Sequence, residues 1–272
     1  MNTRSEGLGI IAGSRMLPLL IAAEARKTGI HPLVAVAFEG ETDPQIQSLT
    51  DEVTWLKVGQ LSKMIEAFTR GGVNRCVMAG QIAPKNLFDL RPDFRAMTLL
   101  FRLKERNAHT IFGGIADELK KDGIELIEAT PWLKPHMPGK KFELGPKLKH
   151  EQQEDLFFGY NLAKEISRLD IGQTVVVKNG TILAVEAFEG TDACLLRGGT
   201  LAGKEGGAIA VKVAKENHDL RFDIPCIGAD TIRTCIQARV AVLGLEAERT
   251  ILLERPEVEA LLSEHRISLV TV

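Results

Sequence analysis

The sequence predicts an α/β fold in two domains, on three observations. In the first half, short apolar runs alternate with stretches of helical spacing, as in a parallel sheet covered on both faces. From about residue 151 a second α/β pattern begins, differently ordered. Between them, Thr130–His150 holds four prolines, two glycines and five lysines, with little apolar periodicity. The expected bounds are residues 1–133 for a domain with a Rossmann-like parallel sheet, 134–150 for a linker and 151–272 for a C-terminal α/β domain. A chain of 272 residues accommodates two domains of ordinary size.

Each element has its own signal. Gly7–Ala12 is a short apolar strand. Arg15–Lys27 has Leu19, Leu20 and Ala23 at helical spacing and stops before Gly29, a natural C′ residue. His31–Phe38 and Val53–Val58 read as strands, and Gln60–Thr69 as an amphipathic helix closed by Gly71-Gly72. Val73–Ala79 is a buried strand, followed by helices over 93–106 and 109–121 and the strand Ile124–Ile127. In the second half Glu151–Leu169 reads as a helix. Thr174–Val177 and Thr181–Glu186 form a hairpin on Asn179-Gly180, the dipeptide that best suits a two-residue turn. Ala208–Val213 and Arg221–Pro225 are expected strands, and Thr231–Leu243 an expected helix. Thr250–Leu253 is a strand, Pro256–His265 a helix with proline in its first turn, and Ile267–Val270 the last strand.

Composition excludes several functions. The chain carries 34 Lys+Arg against 36 Asp+Glu, which argues against a general nucleic-acid binder. Aromatics are 5% with a single Tyr, Tyr160, so stacking platforms for single strands are not expected. Runs such as Leu17–Ala23 fall far short of the roughly 20 residues of a membrane span. The N-terminus lacks a basic segment followed by an apolar stretch, so no signal peptide is expected. Cys76, Cys194, Cys226 and Cys235 are scattered, without a C-x-x-C pair, and read as reduced thiols of a cytoplasmic protein. Zinc spacing, a G-x-S-x-G elbow and a Walker A motif are all missing.

Five motifs carry candidate chemistry. Gly9-Ile10-Ile11-Ala12-Gly13-Ser14 runs from a strand through a glycine turn to a helix, which suits either a phosphate or an ordinary βα turn. Met78-Ala79-Gly80-Gln81 is a second strand-end turn of the same kind. Asp170-Ile171-Gly172-Gln173 sets a carboxylate and an amide beside glycine before a strand. In Glu186-Ala187-Phe188-Glu189-Gly190-Thr191-Asp192, Thr191 or Asp192 is an expected helix N-cap. The same residues suit phosphate or a hard cation such as Mg²⁺. Finally, Lys212 and Lys215 stand at a strand end, and Asp223 lies in an apolar run before Ile224-Pro225, where a carboxylate needs a partner. Salt bridges to Arg221 or Lys215 would satisfy it, as would a metal or a general-base role. Phe94–Arg106 mixes apolar residues with Arg95, Arg102, Lys104 and Arg106. It reads as a core helix with a basic face or as contact with an anionic membrane surface.

Taken in order, these motifs resemble the LpxI family, the UDP-2,3-diacylglucosamine pyrophosphatases of lipid A biosynthesis. The resemblance spans nearly the whole chain. It is strongest in Ile166–Gln173, in Leu183–Asp192, and in Phe222-Asp223-Ile224-Pro225-Cys226-Ile227-Gly228 with Thr231. It implies a two-domain hydrolase, often dimeric, that splits the pyrophosphate of a lipid-linked nucleotide sugar with Mg²⁺, giving UMP and 2,3-diacylglucosamine 1-phosphate. By the same resemblance Asp223 is the essential carboxylate; its chemistry suits either holding Mg²⁺, with Asp192 as a second candidate ligand, or orienting the attacking water. Ala12, Gly13, Gly80, Gln81, Asp170, Gln173, Gly190, Thr191, Asp192, Lys215 and Thr231 line the substrate. The implied location is the cytoplasm, with transient contact at the inner membrane surface. Two other readings stay open: a pyrophosphatase for a non-acylated nucleotide sugar, and a protein that binds a lipid-linked sugar phosphate without turnover. Ser14-Arg15, Gln81 and Lys215-Glu216 depart from the family's pattern.

Overall fold

The computed structural model describes residues 7–82, 92–104, 108–215, 219–221 and 224–272. The chain divides into two compact units, Met1–Leu133 with Asp219–Phe222 and Lys134–His218 with Asp223–Val272.

In the first unit, β1 (Leu8–Ala12), β2 (Leu33–Phe38), β3 (Glu52–Leu56), β4 (Arg75–Ala79) and β5 (Glu125–Leu126) form one sheet in the order β3-β2-β1-β4-β5. Every neighbouring pair is parallel. β1 and β2 are buried at all their positions, because helices cover both faces and a strand between them needs no polar side. The helices are α1 (Leu17–Lys27), the short α2 (Ile46–Leu49), α3 (Leu61–Arg70), α4 (Phe94–Arg102), α5 (Ala108–Lys121) and α6 (Thr130–Leu133). α3 turns Leu61, Met64, Ile65 and Phe68 into the core at i, i+3, i+4 and i+7. Asp93 fixes the start of α4, accepting from the Ala96 amide and, with its other oxygen, from the Ser62 amide of α3. Arg95 forks from α4 to Glu118 and Asp122 and so ties α4 to α5.

In the second unit, β6 (Glu143–Leu144), β7 (Thr174–Lys178), β8 (Thr181–Val185), β9 (Ala208–Lys212), β11 (Val240–Leu245) and β13 (Ser268–Thr271) form a mixed sheet in the order β6-β13-β11-β9-β7-β8. β10 (Cys226–Ile227) and β12 (Ile251–Leu252) pair separately. α7 (His150–Arg168) packs on β7 and β9 from one side through Ala163 and Ile166. α8 (Thr191–Leu201), α9 (Ala229–Gln237) and α10 (Arg255–His265) build the other core, through residues such as Leu195, Ile232 and Leu262. Asn179 and Gly180 both take positive φ, 49° and 67°, as the β7–β8 turn requires. The carboxylate of Asp155 accepts both of their amides.

Three expectations are corrected. The expected linker 134–150 carries β6, which pairs antiparallel with β13. Prolines mask this strand because it is a short edge strand, where missing donors are tolerated. Of the expected strand Arg221–Pro225, Phe222 and Asp223 lie outside the described residues, Arg221, Ile224 and Pro225 are not strand, and the strand described here is β10, from Cys226. Arg221 lies in a turn held by Asp219, which accepts both its amide and its guanidinium, and Pro225 has no amide for a ladder. The expected helix Thr231–Leu243 ends at Gln237, and Arg239 takes φ 53°. Val240–Leu245 is instead a central strand between β9 and β13, where a β-branched apolar run fits best.

Candidate active site

The antiparallel run of β7 against both β8 and β9 brings several distant residues to one sheet edge. Val185, at the end of β8, lies opposite Val175, and Lys212, at the end of β9, lies opposite Thr174. Gln173, Glu186 and Lys212 therefore share the edge where α8 begins. The expected N-cap, Thr191 or Asp192, is corrected: Gly190 is the cap, with φ 84°, and Thr191 and Asp192 form the first turn. Thr191 does not cap because its hydroxyl turns inward. It donates to Glu186 Oε1 at 3.1 Å and accepts from Lys212 Nζ at 3.2 Å. The Lys212 ammonium also reaches the Cys226 carbonyl at 3.3 Å.

Both charged partners are deeply buried, Glu186 6% and Lys212 7% exposed. Two buried acceptors at this edge, Glu186 Oε2 and Gln173 Oε1, have no partner among the described residues. Each such orphan costs about 1–3 kcal/mol, a penalty that a hydrogen-bond donor on a ligand would relieve. Gln173 is held from behind, its carbonyl accepting the Val213 amide at 2.9 Å.

The neighbouring loop is drawn in by glycine. A Cβ on Gly172 would stand 2.0 Å from the Glu186 carbonyl oxygen, so only glycine lets this turn lie against the edge. Two residues earlier, Asp170 accepts from Lys215 at 2.7 Å. Asp192 is exposed on the first turn of α8 and acts on Cys235 of α9, whose thiol is pushed up to about 12 by burial and then by Asp192. Burial likewise pushes the Cys76 and Cys194 thiols up to about 12, so neither is a nucleophile at neutral pH. A hydrogen bond from Arg197 holds the Glu189 carboxyl below its usual range. Thr231 lies half-buried on the first turn of α9. Asp223 lies outside the described residues, as does His218.

In the first unit, the ends of β1 and β4 form a clasp that gathers Ala12, Gly13, Gly80 and Gln81. Gly13 donates its amide to the Ala79 carbonyl at 2.7 Å, and Ser14 donates its own to Gln81 at the same distance. The Ser14 hydroxyl also reaches the Gln81 carbonyl. A Cβ on Gly80 would stand 2.5 Å from the Ser14 carbonyl, and its φ of 86° favours glycine as well. Thr42 donates to the Ala12 carbonyl. These bonds commit the Gly13 and Ser14 amides within the clasp, and a ligand there meets the wall of the turn rather than these two donors.

The second unit's edge has the parts of an anion site: a helix N-terminus without a side-chain cap, two lysines and glycine turns. Lys215 and the first turn of α8 both contribute positive potential at this edge. Sequence reasoning placed Lys212 only at a strand end and read Glu186 only as one of several acidic residues. The signal for both was a charge at the end of each of two apolar runs. For Mg²⁺, which takes hard oxygens, Asp192 offers one carboxylate. Among the described residues, no three His, Cys, Asp or Glu groups converge on a common point. A magnesium site would thus need Asp223 as well.

Comparison with known proteins gives the family. Residues 7–136 match the model of the LpxI N-terminal domain, and residues 142–270 that of the LpxI C-terminal domain. The chain is similar to the UDP-2,3-diacylglucosamine pyrophosphatase LpxI of Caulobacter vibrioides, 30% identical over 266 residues that cover 93% of this chain and 92% of the relative. Among solved structures, the biotin carboxylase domain of a thermophilic 2-oxoglutarate carboxylase aligns at 13% identity and TM-score 0.27, over 62% of this chain and 34% of that one. The biotin carboxylase subunit of a pyruvate carboxylase aligns at 14% and 0.28, over 66% and 35%. The chain thus spans about a third of those structures, and at these scores the likeness carries no weight. With a domain model on each half and one relative alongside nearly its whole length, the chain belongs to the LpxI family.

Proposed function

We propose that this protein hydrolyses the pyrophosphate of UDP-2,3-diacylglucosamine to UMP and 2,3-diacylglucosamine 1-phosphate. The observation that carries the reading is the match to a pyrophosphatase over 93% of the chain, with both domain models present. The geometry of the second unit supports it. Backbone amides of the first turn of α8 and the Lys215 ammonium neutralise phosphoryl charge. Asp223 orients the water that attacks the phosphorus on the glucosamine side. A P–O bond forms to water, the bridging P–O bond breaks toward UMP, and the water's proton passes to Asp223 or to solvent. Asp223 and Asp192 are the residues proposed to hold Mg²⁺, which when bound supplies further charge neutralisation. Asp170, Gln173, Gly190, Thr191 and Thr231, with Ala12, Gly13, Gly80 and Gln81 of the first unit, are proposed to line the substrate.

A lipid substrate requires access to a membrane. Among the described residues no helix is long and apolar enough to cross one. The outer face of α4 offers a surface contact instead: Phe94, Met97 and Phe101, at i, i+3 and i+7, are 82%, 41% and 80% exposed, with Arg102 and Lys104 exposed beside them. We place the protein in the cytoplasm, touching the inner membrane through this face, and propose a homodimer.

The deciding assay offers UDP-2,3-diacylglucosamine and UDP-N-acetylglucosamine, each with Mg²⁺ and with EDTA. UMP from the acylated substrate only, and only with metal, is the expected result. Release from both substrates would indicate a broader nucleotide-sugar pyrophosphatase, and lipid binding without UMP a sequestering protein.

A further inference from the structure

We propose that Lys212 is a positioning residue of this reaction: its buried ammonium fixes the first turn of α8 and the β10 segment that follows Asp223 to each other. The proposal rests on the function proposed above, and its argument is geometric. One ammonium meets two elements far apart in sequence, donating to the Thr191 hydroxyl at 3.2 Å and to the Cys226 carbonyl at 3.3 Å. Thr191 belongs to the helix N-terminus that meets the phosphate. Cys226 opens β10, three residues beyond Asp223.

The hydrogen-bond directions around Thr191 are determined. A hydroxyl has one proton, and here it goes to Glu186 Oε1. Thr191 Oγ1 must then accept from both Lys212 and Thr174, the latter at 3.3 Å. The hydroxyl is saturated and cannot rotate without losing a charge-assisted bond. It also joins two buried charges of this edge, so Lys212 and Glu186 meet across it, while the third, Glu246, pairs with Lys164. The ammonium lies under the cradle rather than in it, since its protein partners occupy it. It sets where the first turn of α8 and β10 stand, while the half-buried Lys215, paired with Asp170, is left to meet the ligand.

A single Lys212 variant strands the Glu186 charge and confounds positioning with folding. The test therefore uses the full-length, charge-balanced double variant Lys212→Met with Glu186→Gln, alongside Lys212→Arg. Expected for the double variant are a thermal midpoint close to wild type and kcat at least 100-fold lower, with a much smaller change in KM. Amide hydrogen exchange of peptides covering 188–194 and 224–228 is expected to be at least tenfold faster. Lys212→Arg, which keeps a charged donor, is expected to recover at least a tenth of wild-type kcat. A double variant that keeps kcat within threefold of wild type overturns the proposal. If the wild type releases no UMP, the proposed function fails, and exchange alone decides: wild-type rates in both peptides overturn the positioning role.

Discussion

Lys215 and Asp170, 45 residues apart in the chain, meet in an ion pair of 2.7 Å beside the glycine turn that abuts Glu186. Asp170 takes φ 55°, a conformation that aspartate tolerates better than most residues, and its side chain is largely exposed. The pair is worth little as a stability element, because solvent screens it. Under the proposed function its use is to hold a lysine poised for the phosphate. Lys215→Ala is therefore expected to leave the thermal midpoint within about 2 °C of wild type. The same variant should lower kcat/KM roughly 100-fold, equivalent to about 2.7 kcal/mol of lost charge stabilisation. Steady-state kinetics with a melting curve checks both.

Asp223→Ala is expected to fold and to lose nearly all activity. A carboxylate that orients the attacking water and joins in holding metal contributes orders of magnitude, so kcat should fall at least 1,000-fold. Circular dichroism and a thermal melt test the fold, and UMP release tests the chemistry. Full activity in this variant would remove the basis for the assignment.

Phe94 and Phe101 point away from the core, while Ala96 and Leu99 of the same helix face it. Replacing both phenylalanines by serine should not change stability. Cosedimentation with vesicles containing phosphatidylglycerol should weaken at least tenfold, since two buried aromatic rings contribute more than about 1.4 kcal/mol to partitioning. Turnover of substrate dispersed in detergent should stay near wild type. Equal vesicle binding by the variant and wild type would show that the membrane contact lies elsewhere.

Glu118 makes stability depend on pH. Hydrogen bonds from Lys121 and then Arg95 hold its carboxyl below the ordinary carboxylate range, against the opposing effect of burial. A depressed folded-state pKa means that the contribution is present above the unfolded value and is lost as pH falls through the folded one. Glu118→Gln should therefore cost roughly 2 kcal/mol at pH 7. The gap from wild type should close as pH drops below about 4.3, the unfolded value. Urea melts of both proteins at pH 7, 5 and 3 measure it.

Much of this fold was legible because its signals are local. The Asn179-Gly180 hairpin, the stop before Gly29 and the four leading strands follow from turn chemistry and short apolar runs. β6 escaped because two residues among prolines carry no period, and their strand identity comes from β13, over a hundred residues away. Val240–Leu243 falls at the end of the expected helix because a short apolar run fits either period. Its place between β9 and β13 decided the matter. At the site, Asp170, Gln173, Gly190 and Thr191 were visible as turn residues of unusual polarity. Lys212 and Glu186 gained meaning only once β7 had set the ends of β8 and β9 side by side.

The chain returns briefly to the first unit at Asp219–Phe222, so the two units are not two consecutive stretches of sequence. The Arg221 guanidinium there is paired with Asp219 and feels Asp117 and Glu128 of that unit. A polypeptide stopped at Leu133 would lack this strip, and the complementary piece would carry it as a foreign loop. Fusion, shuffling or swapping of either half with an unrelated domain would thus leave a gap in one partner and a loose end in the other. No single cut in the sequence therefore separates the two units.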